Sequence, residues 1–182
     1  MAFEFKPEED GPFDIEDFDD PADAEAARLD LGGVLVPVPD GSQLNVEVNE
    51  QGVPNAVWIM TPNGRFSVAA YAAPKTGGLW REIAAELAES LRNDNAQARI
   101  EDGPWGREVV GLPVPQPGQP QVVMRFIGTD GYRWMVRCVV VGTEETIDAI
   151  ADELTFTAVC HSLNTFLALQ DKPNCKGGPV RR

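Results

Sequence analysis

The residue types that could carry covalent chemistry are few in this chain. A nucleophilic hydrolase needs a Ser, Cys or Thr beside a histidine that a third group orients. The one histidine, His161, directly follows Cys160. Chain neighbours point to opposite faces of a strand and diverge by about 100° on a helix, so the two do not form a working pair. Cys138, Cys160 and Cys175 share no Cys-x-x-Cys or His-x-x-x-His spacing with each other or with His161, so no metal site is expected. Lys75-Thr76-Gly77-Gly78 precedes a helix, but a phosphate-binding loop places its glycines before the Lys-Thr pair, and helix capping by Thr76 is the simpler reading. The acid pairs Glu101-Asp102 and Glu144-Glu145 fall at a turn and a helix start, where solvation explains them. No catalytic residue, cofactor or metal is therefore assigned, and a non-enzymatic role is expected.

Binding chemistry is better represented. Gln121 to Ile127 and Tyr132 to Val141 read as a hairpin. A three-residue loop, Thr129-Asp130-Gly131, would bury Val122, Met124 and Phe126 beside Trp134, Val136, Cys138 and Val140. In that register Arg125, Arg133 and Arg137 share the face opposite Trp134. Three such cations repel unless a negative group lies near, and guanidinium groups grip carboxylates and phosphates in a fork. The cluster either lies over a solvated sheet face with local acids or forms an acceptor surface for an acidic partner.

An acidic candidate lies in the same chain. Residues 1–30 hold twelve acids and two bases, which accounts for −10 of the net charge of −14. With few apolar groups to offset the entropy of ordering, residues 1–28 are expected to form a disordered tail. Within it Phe13, Ile15 and Phe18 alternate with acids, which suits either a solubilising segment or one that docks by those three residues on a basic, apolar-floored groove.

The elements that would position these groups are short β-runs broken by Pro and Gly. Val34 to Val38 reads as an edge segment, and Gln43 to Asn49, Asn55 to Met60 and Arg65 to Ala72 as a meander. The period then becomes helical: Trp80, Ile83, Ala84, Leu87, Ala88 and Leu91 form one apolar stripe. Glu101 to Gly106 reads as a turn into a strand over Arg107 to Leu112. After the hairpin, Thr143 is placed to cap a second helix with Ile147, Ile150, Ala151 and Leu154 on its apolar side. The stretch Thr155 to Leu169 is open between strand and helix, and 170–182 reads as a loose basic end. The fold class is α+β: a single domain over 29–169, with a mostly antiparallel sheet and two amphipathic helices packed on one of its faces.

Composition narrows the setting. With 182 residues and 43% hydrophobic side chains the chain can bury one core, and no apolar run approaches the ~18 residues of a membrane span. The start, Met1-Ala2-Phe3-Glu4-Phe5-Lys6, lacks the basic-then-apolar order of a secretory signal, so a cytoplasmic protein with reduced thiols is expected. The net charge of −14 argues against nucleic acid as the partner, since such binding draws on cation–phosphate contacts.

Four ordered blocks carry a family resemblance: Arg28 to Gly32, Ala72 to Trp80, Asp102 to Gly106 and Arg125 to Trp134. They resemble an actinobacterial family catalogued only as a domain of unknown function, over about residues 11–155. The resemblance implies a cytosolic protein whose gene often lies near that for dUTPase, with no activity or catalytic residues to carry over. The order of elements is also similar to the PsbP and Mog1 fold, an α/β/α sandwich that commonly serves as a binding platform. Residues 155–182 depart from the family's pattern. The expectation is a protein-interaction domain with an acidic docking tail, and the alternative is a binder of a small anion or nucleotide phosphate through the three arginines.

Overall fold

A computed structural model describes residues 13–15, 18–26, 28–31, 33–103, 105–153 and 159–160. In chain order these hold β1 (Phe13–Asp14), α1 (Pro21–Glu25), β2 (Arg28–Asp30), β3 (Val34–Pro37), β4 (Gln43–Val48), β5 (Pro54–Thr61), β6 (Gly64–Ala72) and α2 (Leu79–Asn93). They continue with β7 (Gln97–Gly103), β8 (Gly106–Leu112), β9 (Val122–Asp130), β10 (Trp134–Thr143), α3 (Ile147–Glu153) and β11 (Val159–Cys160). Seven strands form one antiparallel sheet in the order β4-β5-β6-β10-β9-β8-β7, and a small sheet runs β1-β11-β3-β2. The class is α+β with a mostly antiparallel sheet, as the residue pattern predicts.

Both faces of the large sheet are covered. On one face Trp80, Ala84 and Ala88 of α2 pack with Tyr71, Val109, Phe126 and Met135. On the other, Val34 and Val36 of β3 and Ile147 and Ile150 of α3 pack with Phe66, Ile127, Val136, Cys138 and Val140. The helices therefore sit on opposite faces, where the sequence suggested one. Because β9 and β10 are covered on both sides, their apolar residues run almost without interruption, and alternation does not report which face is which.

The start of α2 also differs from expectation. Gly78, with φ of +80°, precedes α2, and no side chain of its own segment caps it. The Trp80 amide instead donates to Asp130 on β9, at 3.1 Å to Oδ1 and 3.3 Å to Oδ2. A carboxylate here answers the positive end of the helix dipole and an orphan N–H together. The Trp80 Nε1–H donates to the Arg107 carbonyl at 2.7 Å, and its ring lies where a Cβ on Gly128 would stand, so this one tryptophan ties α2 to β8 and β9. At α3, Thr146 Oγ1 accepts from the Thr143 amide at 3.0 Å and lies 3.1 Å from the Thr143 hydroxyl, and the Thr146 amide donates to the Thr143 carbonyl, so the expected capping residue is bound into the turn that leads into the helix.

β7 falls where a turn was expected to begin, and the turn is confined to the link between Gly103 and Gly106. The domain boundary placed at residue 28 falls at the first residue of β2, and elements precede it. Asp20 caps α1 by accepting from the Ala22 amide at 2.9 Å, and Ala24 is fully buried against Leu35 with Ile15 and Phe18 packed around them. Within the acidic tail expected over 1–28, the described residues 13–15 and 18–26 hold β1 and α1. The 170–182 end, His161 and Cys175 lie outside the described residues.

If Asp130 is the cap of α2, Asp130→Ala should lower unfolding stability by roughly 1 kcal/mol, while Thr76→Ala should stay within about 0.5 kcal/mol of the parent. Urea titrations of the two variants decide between the two caps.

Candidate functional site

The three arginines are not brought together. β10 pairs with β9 so that Met135 faces Asp130, Arg137 faces Gly128 and Val140 faces Arg125. The Gly131 amide donates to the Trp134 carbonyl at 2.8 Å, which leaves Tyr132-Arg133 as a two-residue loop with φ of +63° at Arg133. The expected three-residue loop is wrong by parity. Directly paired residues share a face, so Arg125 lies with Val140 and Trp134 while Arg137 lies on the opposite side with Met135. A three-residue loop would have removed Thr129, Asp130 and Gly131 from the ladder, and with them the carboxylate that caps α2.

Each arginine then has its own surroundings. Arg125 donates to a single oxygen of Glu108, from Nε at 2.9 Å and Nη2 at 2.8 Å, and its Nη1 reaches Asp148 of α3 at 3.2 Å. The Glu108 side chain is 1% exposed, Arg125 12% and Asp148 87%, so the contacts run from the core to the surface. Glu108 Oε1 is buried without a hydrogen-bond partner, pressed against Gly103, where any Cβ would collide with it. Burial pushes the Glu108 carboxyl above its ordinary range, against the pull of Arg125. Burial likewise drives the Cys138 thiol far up, so this free cysteine is a core residue and not a nucleophile.

Arg137 donates from Nη2 to the Tyr71 hydroxyl at 2.7 Å, with its guanidinium 5.2 Å from the centre of that ring. Arg133 lies 5.6 Å from the centre of the Tyr132 ring in the loop. A fork of all three for one anion needs guanidinium groups on one face, and Arg125 lies on the face opposite Arg137. Of the acidic segment's residues, Ile15 and Phe18 pack on this chain's own Ala24 and Leu35, and Arg28 stands 5.8 Å from the Phe18 ring centre. The Phe13 backbone pairs with Val159. Among the described residues, no group of three or more His, Cys, Asp or Glu is placed to hold a metal ion.

The surface that remains open is one that sequence reasoning passed over. Every residue of β4 is exposed, although it alternates Leu44, Val46 and Val48 like a half-buried strand. Those three are 50%, 50% and 55% exposed, on the face that continues to Val57 and the buried Ile59. Glu47, on the other face, accepts from Trp58 Nε1 at 2.8 Å, and Arg65 stacks on that Trp58 ring at 4.7 Å. β4 is the last strand of the large sheet, and along its outer side it pairs with no strand among the described residues. The clue in the sequence was the alternation itself, with no Lys or Pro to guard the edge.

The Glu108–Arg125 pair makes two predictions. Arg125→Met should cost about 3–5 kcal/mol by leaving a carboxylate buried alone, and Arg125→Met with Glu108→Leu should restore most of it; denaturant unfolding of the single and double variants measures both. The raised Glu108 carboxyl binds its proton more tightly folded than unfolded. Its contribution is present below its unfolded pKa, near the ordinary value of 4.5, and falls away as pH rises through the raised folded value. Melting temperature against pH should therefore show a downward component above the ordinary carboxylate range that Glu108→Gln removes.

Escherichia coli deoxyribose operon repressors are 67% identical over 30 residues, which is 16% of this chain and 12% of theirs. The chain thus spans only a small part of those curated relatives. Among solved structures, a protein of Bacteroides thetaiotaomicron VPI-5482 is 14% identical, with a TM-score of 0.48 over 77% of this chain and 50% of that one. Cyanobacterial PsbP from Synechocystis is 11% identical with a TM-score of 0.42, covering 71% of this chain and 87% of that one. LpqN of Mycobacterium tuberculosis, a protein involved in cell envelope biogenesis, is 12% identical with a TM-score of 0.33, covering 69% of this chain and 82% of that one. These likenesses are distant and say nothing about activity. A family model described as protein of unknown function (DUF3710) matches residues 11–163, and the chain belongs to that family.

Proposed function

We propose that this chain works as a protein-interaction domain whose contact surface is the free edge of β4. The observation that carries the reading is the uniform exposure of Gln43–Val48 in a strand that alternates apolar and polar residues. Half-exposed Leu44, Val46 and Val48 beside a strand edge that is unpaired among the described residues are what strand addition uses: main-chain hydrogen bonds for affinity, alternate side chains for specificity. The rest of the molecule is built to hold that edge still. α2 grips one face of the sheet while β3 and α3 grip the other. In this reading the acidic lead-in serves the scaffold by seating Ile15 and Phe18 against Leu35, and its exposed acids keep the chain soluble. The cytosol is the expected setting, and no helix among the described residues is long and apolar enough to cross a membrane.

The small-anion alternative rested on three convergent guanidinium groups. Arg125 is engaged by Glu108 and Asp148, and Arg137 by Tyr71, on opposite faces, which leaves that alternative without its motivating cluster.

Val46→Lys should leave unfolding stability within about 0.5 kcal/mol of the parent, since the side chain is on the surface. It should also remove the proteins that the full chain retains in affinity capture and crosslinking. Identical sets retained by parent and variant would contradict the assignment of the edge.

A further inference from the structure

We infer that the occupant of the β4 edge is a second copy of this chain, paired antiparallel about a two-fold axis at Val46; this deepens the reading above and rests on it. The first argument is the pattern. An isologous pairing presents the same strand in both directions, so its sequence must read alike both ways. Leu44-Asn45-Val46-Glu47-Val48 does: apolar, polar, apolar, polar, apolar. A two-fold axis perpendicular to the sheet keeps each residue on its own face, and directly opposed residues share a face. Only registers centred on a residue are therefore allowed. Centred on Val46, the pairing sets Val46 against its copy and Leu44 against the second copy's Val48 twice over. All six half-exposed side chains are then gathered on one face.

Charge and apolar pairing select among the neighbouring registers. Two chains of net charge −14 repel, so acids cannot be set opposite acids. With the axis at Val46, Glu47, the one acid within Gln43–Val48, meets Asn45 of the other copy. Centred on Asn45, Leu44 would still meet Val46, but Val48 would lie opposite Ser42 beyond the start of the strand, so three apolar pairs would fall to two. Centred on Glu47, that glutamate would face itself. The strand is also regular enough to pair. The one irregularity in the β4–β5 ladder, where Glu47 pairs with Ala56 and Val48 with Pro54, places its extra residue on β5 at Asn55.

Six residues a side cover less than the roughly 800 Å² per partner of a standard interface. The pairing is accordingly a concentration-dependent equilibrium, opposed by the net charge and strengthened by salt.

Sedimentation equilibrium of the full chain across concentration and salt tests this, with circular dichroism to confirm folding of each variant. The parent should show a monomer–dimer equilibrium that tightens with salt, and Val46→Lys should be monomeric throughout. Asn45→Lys, which sets two new Lys-Glu pairs across the axis, should tighten the dimer by roughly 2- to 30-fold, and Asn45→Glu should loosen it by a similar factor. Misfolding cannot imitate the gain with Asn45→Lys. A dimer indifferent to the Asn45 variants overturns the register. A chain monomeric at every concentration overturns the second copy as occupant; if it still captures another protein in a Val46-dependent way, the interaction reading stands without it. A monomer that captures nothing through Val46 ends both.

Discussion

The parity of one hairpin decides what the charged residues of this protein can do. Because β9 and β10 are joined by the two residues Tyr132 and Arg133, Trp134, Val136, Cys138 and Val140 face β3 and α3, while Met135 and Val139 face α2. One residue more in the loop would exchange the partners of every side chain on β9. Arg125 would leave Glu108 and join Arg133 and Arg137 over α2's face, and Asp130 would lose its place at the start of that helix. The register is held by contacts at both ends of the turn: the Trp134 ring fills the space over Gly131, and Asp130 receives the Trp80 amide.

That register makes Glu108 and Arg125 a buried pair, and such a pair is seldom a net gain in stability. Desolvating both charges costs several kcal/mol each, which their attraction only about repays. What it supplies here is position. Arg125 reaches from a carboxylate in the core to Asp148 on α3, so the short helix is fixed by a charge contact as well as by Ile147 and Ile150. The cost shows in the raised Glu108 carboxyl and in the unpartnered Oε1 against Gly103. An arginine legible as a binding residue is spent instead on assembling the scaffold.

The sequence made legible whatever depends on local period. The apolar stripe from Trp80 to Leu91 became α2, and the runs at Gln43, Asn55, Arg65 and Arg107 became strands within a residue or two of their observed ends. What lay beyond reach depends on contacts distant in the chain. Asp130 caps a helix that begins fifty residues earlier, so Thr76, the nearest hydroxyl, was the natural but wrong choice. β7 is exposed along nearly its whole length and polar in Arg99, Glu101 and Asp102, so it lacked the alternation that marks a strand. The acidic lead-in looked unable to repay its ordering because the groups that receive it, Leu35 and Ala24, could not be foreseen as its floor. The arginine cluster failed on a single unit of loop length. The exposed alternation of β4 was visible throughout, but its exposure became known only when the strand proved to be the end of the sheet.

The register commits Arg125 and Arg137 to contacts on opposite faces, and the interaction proposed for this chain therefore draws on the β4 edge instead. The most direct measurement is of cross-strand backbone NOEs in the β9–β10 ladder. The account predicts contacts between the backbones of Cys138 and Ile127, the pair the two-residue loop dictates. Contacts between Cys138 and Val122 would contradict it, since that pairing belongs to the three-residue loop and would gather Arg125, Arg133 and Arg137 on one face.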